Sequence, residues 1–361
     1  MSIWESPEFD AHEQVCFFSD EETGLRAIVA IHSTKLGPAA GGTRFKAYAH
    51  DALAGDDALR LSRAMSYKSA LAGLPVGGGK AVIIGDPARI KSRELLHAYG
   101  RFINRIGSHF ATGEDVGMSV ADMDIVSEVS PFVGGTTAGN SDLAAHTATG
   151  VMHGLRAVLE ARFERSDFTG MRVAVQGLGA VGWGVAERLH EAGAELVVAD
   201  IRAEQVERAV QQFGAATSTP EHIHAAAVDI FAPCALGGVI TLESVPEIRA
   251  GAVAGAANNQ LASAQSGELL AARGILFAPD YVLNAGGIIS GLAAASAMPG
   301  RARLDFPPIE QSLAAIHTRL LEIFARSSAE LLPPEIVAEK MAREIIGRSD
   351  AGGPAGEIVR A

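Results

Sequence analysis

Between Met171 and Asp200 the chain runs through strand, glycine turn, helix, strand and acid, an order that very few folds satisfy. Arg172-Val-Ala-Val-Gln176 reads as a short buried strand, and Gly177-Leu-Gly-Ala-Val-Gly182 follows it at once. The spacing predicts a helix from Val181 to Ala192 and a second strand at Glu195-Leu-Val-Val-Ala199. Asp200 closes that strand 18 residues past Gly182. Each glycine has a separate task in such a turn. Gly177 makes the tight bend, Gly179 lets the backbone approach a pyrophosphate, and Gly182 lets helix and strand pack closely. Ala180 and Val181 open the helix, whose free N–H groups and dipole favour an anion. A carboxylate at Asp200 suits ribose hydroxyls and repels a 2′-phosphate, so the motif points to NAD rather than NADP. Arg202 lies close enough to soften that preference. A bare glycine pattern is common; the ordered context is what carries this one.

Two lysines form the second constraint. Lys68 falls in the helix-like run Asp51 to Gly73, with Leu61, Ala64, Met65, Leu71 and Ala72 at helical spacing around it. Arg60, Arg63 and Ser66 fall on other faces, so Lys68 is expected on the buried one. Lys80 ends Leu74-Pro-Val-Gly-Gly-Gly-Lys80, where three glycines are expected to admit a small ligand to the backbone. Burial beside a second cation brings a lysine pKa down towards roughly 7–8, the range useful for acid/base work. The alternative for either lysine is a stem that snorkels to solvent. A P-loop is excluded, because Leu74 stands where glycine is needed and Ala81 where Ser or Thr would bind magnesium. Asp115, in Thr112-Gly-Glu-Asp-Val-Gly-Met118, suits a cleft wall or, equally, the N-cap of a helix near Val120.

Composition narrows the partners. A net charge of −12 on 361 residues, with no basic tract, argues against nucleic acid and anionic membranes. Cys16 and Cys234 are too few for a disulfide framework, and the acidic N-terminus lacks a signal-peptide layout, so a cytoplasmic protein is expected. The weakly polar stretch from Ala285 to Met298 is too short to span a bilayer. His222 and His224 have no further ligands at suitable spacing, so no metal is expected.

The expected fold is α/β with two domains, an N-terminal α/β substrate domain and a C-terminal Rossmann-type doubly wound domain. Residues 1–142 read as the substrate-binding and dimerisation domain, with β runs at Ala27 to His32 and Ala81 to Ile84. Small polar residues from Gly134 to Ser141 suggest a hinge. Residues 143–332 read as the NAD-binding domain, with further strands at Val228 to Phe231, Ala252 to Gly255 and Ile275 to Phe277. Residues 333–361 hold one amphipathic helix, Glu335 to about Arg348, and a frayed tail from Asp350.

The chain resembles the glutamate/leucine/phenylalanine/valine dehydrogenase family over nearly its whole length. The resemblance is carried by Gly37-Pro-Ala-Ala-Gly-Gly-Thr-Arg44, Met65 through Lys80, and Gly113-Glu-Asp-Val-Gly117 running into Ala121-Asp-Met-Asp124. The Gly177 motif, Ala232-Pro-Cys-Ala-Leu-Gly237, Ala254-Gly-Ala-Ala-Asn-Asn-Gln260 and Asn284-Ala-Gly-Gly287 complete it in family order. It implies a cleft between the domains that closes over substrate and NAD, a final helix that crosses back to the first domain, and a homo-oligomer.

It also implies roles. Lys68 would hold the substrate α-carboxylate, Lys80 would activate water as general base, and Asp115 would move the proton to and from the substrate nitrogen. Thr147, Asn258 and Asn284 would serve the cofactor. Gly41, Met65, Ala40, Gly113, Asn259, Ile288 and Gly291 would surround the substrate. The implied reaction is reversible oxidative deamination of an amino acid to a 2-oxo acid and ammonia.

Glutamate dehydrogenases usually carry a lysine where this chain has Ala40, and a substrate carboxylate buried without a partner costs several kcal/mol. A hydrophobic L-amino acid is therefore expected. Leucine-type enzymes tend to have leucine, alanine and valine where this chain has Ala40, Gly113 and Gly291, which enlarges the pocket towards phenylalanine. Ala72-Gly-Leu-Pro and Glu114-Asp-Val-Gly-Met read closer to the leucine and valine branch, and both readings stand. Two rivals remain: a different NAD-dependent dehydrogenase, for which His146 and His153 lack an evident arginine partner, and a non-catalytic NAD-binding sensor.

Overall fold

The computed structural model describes residues 3–139, 142–296 and 305–348. The expected tail from Asp350, residues 140 and 141 of the expected hinge, and Met298 lie outside them. The chain divides into two compact units. One draws on Met1–Ser141, Gly291–Phe306 and Lys340–Ala361, the other on Asp142–Ser290 and Pro307–Glu339.

The first unit is built on a five-stranded sheet of β1 (Gln14–Asp20), β2 (Leu25–Ser33), β3 (Ala39–Lys46), β4 (Gly77–Ile84) and β5 (Phe110–Glu114), in the order β1-β2-β4-β3-β5. β1, β2 and β4 pair antiparallel, whereas β3 runs parallel to both β4 and β5. Helix α1 (Asp51–Leu71) covers one face, where Ala54, Ala58 and Leu59 meet Ile28, Ala30 and Val82. The short α2 (Pro87–Ile90) follows β4, and then come α3 (Arg93–Ile106) and α4 (Val120–Ser127). Leu95, Leu96 and Ile103 of α3 and Met123 and Val126 of α4 bury the opposite face with Val29, Ile31, Ala81 and Ile83. Alternation along β4 therefore puts Lys80 on the same side as Val82, facing α1.

Two sequence expectations change here. The triple glycine lies inside β4, and protein atoms, not open space, crowd each of its residues. A Cβ on Gly77 would sit 1.9 Å from the Ser33 carbonyl, on Gly78 2.1 Å from the Ser66 backbone nitrogen, and on Gly79 2.7 Å from the Phe110 ring. The glycines bring α1 and the neighbouring strands close to β4 rather than admitting a ligand. The second change concerns α1, whose buried face includes Ser62, Ser66 and Ser69 as well as leucines and alanines. Two of these serines are satisfied: Ser62 donates to the Leu59 carbonyl at 2.9 Å, and Ser66 meets His32 Nδ1 of β2 at 2.8 Å, whereas the Ser69 hydroxyl finds no partner among the described residues. Lys68 and Met65 are only half-buried and Ala64 is exposed.

The second unit holds six parallel strands, β6 (Arg172–Gln176), β7 (Glu195–Ala199), β8 (Ala216–Thr217), β9 (Ile230–Pro233), β10 (Ala252–Val253) and β11 (Leu276–Phe277). Their order, β8-β7-β6-β9-β10-β11, is the 3-2-1-4-5-6 arrangement of a dinucleotide-binding sheet. Its helices are α5 (Leu143–Phe163), α6 (Ala180–Glu191), α7 (Ala203–Phe213), α8 (Ala264–Ala272), α9 (Asp280–Leu283), α10 (Gly286–Ser296), α11 (Ile309–Glu330) and α12 (Pro334–Ile345). The division between units falls inside α10 and again inside α12. From α12, Arg343 donates to Asp10 Oδ2 and to the Tyr67 hydroxyl, both at 2.7 Å. Arg348 beyond it donates to the Ala11 and His32 carbonyls at 3.0 and 2.6 Å. Among the described residues no helix is long and apolar enough to cross a membrane.

Candidate active site

In the first unit Lys80 and Asp115 meet. Lys80 Nζ lies 2.7 Å from Asp115 Oδ2, with the lysine side chain 8% exposed. Asp115 can be there because it does not cap α4. Ser119 caps that helix, accepting from the Asp122 N–H while Asp122 accepts from the Ser119 N–H, a complete capping box. Gly42 makes room for the approach, since a Cβ there would fall 2.5 Å from the Glu114 carbonyl and 3.0 Å from Asp115 Cβ. Burial holds the Lys80 ammonium below the usual lysine range; Asp115 opposes that shift and Arg44 adds to it. Burial alone would raise the Asp115 carboxyl, but Lys80 and Arg44 together bring it below the usual carboxylate range.

Arg44 was legible only as the end of a sequence block, and the structure adds it to the site. It comes from β3, and its Nε donates to Asp115 Oδ2 at 3.2 Å. Its Nη1 donates to Asp57 Oδ2 at 3.0 Å, and Asp57 also accepts from Tyr48 and Arg60, each at 2.7 Å. The missed signal was the spacing of Asp57 and Arg60 on the polar side of α1, soon after a strand that carries an arginine.

The residues proposed around the substrate are placed as follows. Ala40 is 3% exposed on β3, opposite Gly78 and Ala111. Gly41 presses on the Gly79 carbonyl and on Met65, where a Cβ would lie 1.7 and 3.4 Å away. Gly113 is different: a Cβ there would meet only the Gly134 carbonyl group, at 3.8 Å, so a methyl has room. Ile288 and Gly291 are half-buried on α10. Asn259 is exposed with φ +52°, a conformation asparagine tolerates better than most residues.

In the second unit the turn after β6 has the geometry of a phosphate cradle. Gly177 has φ +96°, and a Cβ on it would strike Ala235 at 2.6 Å. On Gly182 a Cβ would be 2.0 Å from the Gly177 carbonyl and 3.0 Å from Cys234 Cβ. Over Gly179 nothing lies within 4 Å. That open space stands over the first turn of α6, which begins at Ala180 and Val181 with unpaired N–H groups. It also lies at the β6/β9 boundary, where the strand order reverses and ligands of such sheets bind. Asp200 Oδ2 accepts from the Leu178 N–H at 2.6 Å and Oδ1 from the Arg202 N–H at 2.9 Å. Arg202 Nε also reaches Asp200 at 3.3 Å, so its charge is paired.

The loop after β9 ties this turn to the asparagines. Ala235 abuts Gly177, and a Cβ on Gly237 would lie 2.4 Å from the Asn258 carbonyl. Asn284 donates to Asn258 Oδ1 at 2.7 Å and to the Ala256 carbonyl at 3.1 Å. Thr147 donates to the Leu143 carbonyl at 2.7 Å and lies against Gly287, whose Cβ would be 2.9 Å from its hydroxyl. A dinucleotide fits these residues: the open face at Gly179 and the carboxylate at Asp200 match its pyrophosphate and ribose. Among the described residues no three potential metal ligands converge.

Residues 12–130 match the family description "Glu/Leu/Phe/Val dehydrogenase, dimerisation domain", and residues 138–203 and 198–331 match "Glutamate/Leucine/Phenylalanine/Valine dehydrogenase". The chain is 43% identical to leucine dehydrogenase of Geobacillus stearothermophilus over 352 residues, 96% of this chain and 94% of that one. It is 45% identical to valine dehydrogenase of Streptomyces virginiae over 339 residues, 92% and 93% of the two chains. Among solved structures, L-tryptophan dehydrogenase from Nostoc punctiforme superposes with a TM-score of 0.84 at 39% identity, covering 93% of this chain and 96% of that one. Both the buried lysine–aspartate pair and the glycine turn thus sit in segments that match in order, and the chain belongs to the glutamate/leucine/phenylalanine/valine dehydrogenase family of pyridine-nucleotide-dependent oxidoreductases.

Proposed function

We propose that this protein catalyses NAD-dependent, reversible oxidative deamination of hydrophobic L-amino acids to 2-oxo acids and ammonia. The observation that carries the reading is the buried Lys80–Asp115 pair at 2.7 Å, in a family of amino acid dehydrogenases. When bound, NAD supplies the acceptor for the hydride that leaves the substrate α-carbon. The protein's own residues do the rest. Lys68 holds the α-carboxylate, and Lys80, whose proton affinity burial lowers, takes a proton from water in its neutral form as the water adds to the substrate iminium. Asp115 exchanges a proton with the substrate nitrogen so that ammonia can leave. A neutral Lys80 matters because a second fixed cation would oppose the iminium charge.

Lys68, Lys80 and Asp115 belong to the first unit and the cofactor groups to the second. The domains are read as residues 1–142 and 143–332, with 333–361 as the returning helix. Thr147, Asn258 and Asn284 join Gly177, Gly179, Ala180, Val181, Gly182 and Asp200 on the cofactor. NAD over NADP is supported by Asp200, together with the pairing of Arg202 to it. Gly41, Met65, Ala40, Gly113, Asn259, Ile288 and Gly291 surround the substrate. A hydrophobic side chain is supported by Ala40, which offers no charge to a substrate carboxylate. A cytoplasmic homo-oligomer completes the reading, supported by two free cysteines and by the dimerisation-domain match.

Relatives named for leucine, valine and tryptophan leave a range of side-chain sizes. The room above Gly113 favours the larger end. NADH formation with a panel of L-amino acids at alkaline pH, with NADP as control, tests all of this. The expected result is turnover with leucine, valine or a larger apolar side chain, no turnover with glutamate, ammonia dependence in reverse, and loss of turnover in Lys80→Ala with NAD binding kept. No NADH with any amino acid would overturn the reading in favour of a sensor.

A further inference from the structure

The buried cluster around Lys80 holds one group that the reaction above does not use. Asp115 is 22% exposed, and an ammonium and a guanidinium share its Oδ2. If Lys80 were its only partner, each loss of the Lys80 proton would strand a buried carboxylate, which is strongly unfavourable. The carboxylate would then hold the proton on Lys80 and oppose its work as a base. Arg44 breaks that link, because a guanidinium keeps its proton at any working pH. With Lys80 neutral, Arg44 and Arg60 still balance Asp115 and Asp57.

We propose that Arg44 is the positioning residue of the site: it aims Asp115 at Lys80 and supplies the permanent cation that lets Lys80 deprotonate. The proposal rests on the assignment of Lys80 as general base. Its geometry is a bridge, with Nε on Asp115 at 3.2 Å and Nη1 on Asp57 at 3.0 Å. A lysine, with one compact ammonium, does not span two carboxylates in the same way. The charges that act most on Lys80 come from three elements: Asp115 from beyond β5, Arg44 from β3 and Asp57 from α1, with Arg60 and Tyr48 behind Asp57. On the other side β2 presents Ala30, which carries no charge.

The test compares wild type, Arg44→Met, Arg44→Lys and Asp57→Asn by two readouts. One is the pH profile of kcat/KM for amino acid oxidation; the other is the pH dependence of Lys80 acetylation by trace acetic anhydride, followed by mass spectrometry. Arg44→Met is expected to move both midpoints up by about one pH unit, and Arg44→Lys to recover most of that shift. Asp57→Asn removes a negative charge that helps to hold the proton, so its midpoint moves down. The opposite signs keep the proposal testable even if Arg44→Met does not fold. Lower kcat in a folded Arg44→Met with unmoved midpoints would reduce Arg44 to a structural role and overturn the proposal. An unmoved or raised Asp57→Asn midpoint would do the same. Should wild type oxidise no amino acid, the functional reading fails, while the labelling midpoints still report on Arg44.

Discussion

Gly179 and Gly182 are three residues apart in one turn, yet the structure gives them opposite sensitivities. A methyl on Gly182 would press into the Gly177 carbonyl at 2.0 Å, whereas a methyl on Gly179 would meet nothing within 4 Å. Gly182→Ala is therefore expected to destabilise the protein by about 1–3 kcal/mol through overpacking. Gly179→Ala should leave the thermal midpoint unchanged while weakening NAD binding at least tenfold, because the methyl occupies the space a pyrophosphate needs. Calorimetric unfolding and NADH fluorescence titration of the two variants separate these outcomes. Equal loss of stability in both would remove the argument for a cradle at Gly179.

Among the elements, α12 carries an evident cost. Both carboxyl oxygens of Glu335, in its first turn, are buried and find no donor among the described residues beyond the residue's own backbone N–H. Burial, with Glu268 adding repulsion, pushes the Glu335 carboxyl above its usual range. Gly267 on α8 accommodates it, since a Cβ there would lie 1.8 Å from Glu335 Oε1. A raised folded pKa means that the group stabilises the fold while protonated and that this contribution is lost as pH rises through that pKa. Glu335→Gln removes the penalty and should raise stability by about 1 kcal/mol at pH 8, or roughly 2–4 °C in the thermal midpoint. At pH 4 the gain should shrink towards zero. A variant less stable than wild type at pH 8 would show that the carboxylate has a partner worth keeping.

For the molecule as a whole, one source of pH sensitivity lies where Asp10 and His12 meet α1, His32 and Arg343. His12 Nδ1 accepts from the Asp10 N–H at 3.1 Å, and its Nε2 lies 3.0 Å from the Leu59 carbonyl, a pattern that suits a neutral imidazole. Burial and the neighbouring His32 bring its pKa down to about 4. A histidine depressed from 6.5 to about 4 contributes stability that is complete above pH 6.5 and is lost as pH falls towards 4. That amounts to roughly 3 kcal/mol at full titration. Asp10, held below the usual carboxylate range against its own burial by His32 and Arg343, adds acid sensitivity only below that window. Urea midpoints should therefore fall between pH 7 and pH 5, and His12→Asn should flatten that slope. A flat wild-type profile would mean that His12 is protonated in the fold.

Some of this was legible in residues alone because the cause was local. The turn at Gly177, the helix behind it and the strand ending at Asp200 are set by near neighbours, and β6, β7 and α6 fall within a residue or two of their expected bounds. Lys80 and Asp115 were nameable for the same reason, each within a short distinctive run. What sequence could not decide was which atoms press on those residues. The triple glycine looked like a binding loop because glycine's freedom is visible in sequence while its crowding is not. Ser66 looked like a solvent-facing residue because its buried partner, His32, lies 34 positions away. Asp115 was equally a helix cap until Ser119 took that role. Arg44 joined the site only when β3 and β5 paired, bringing together residues 71 apart. Local backbone demands are thus written in sequence, but burial, charge pairing and the proton affinity of Lys80 belong to contacts that only the folded sheet creates.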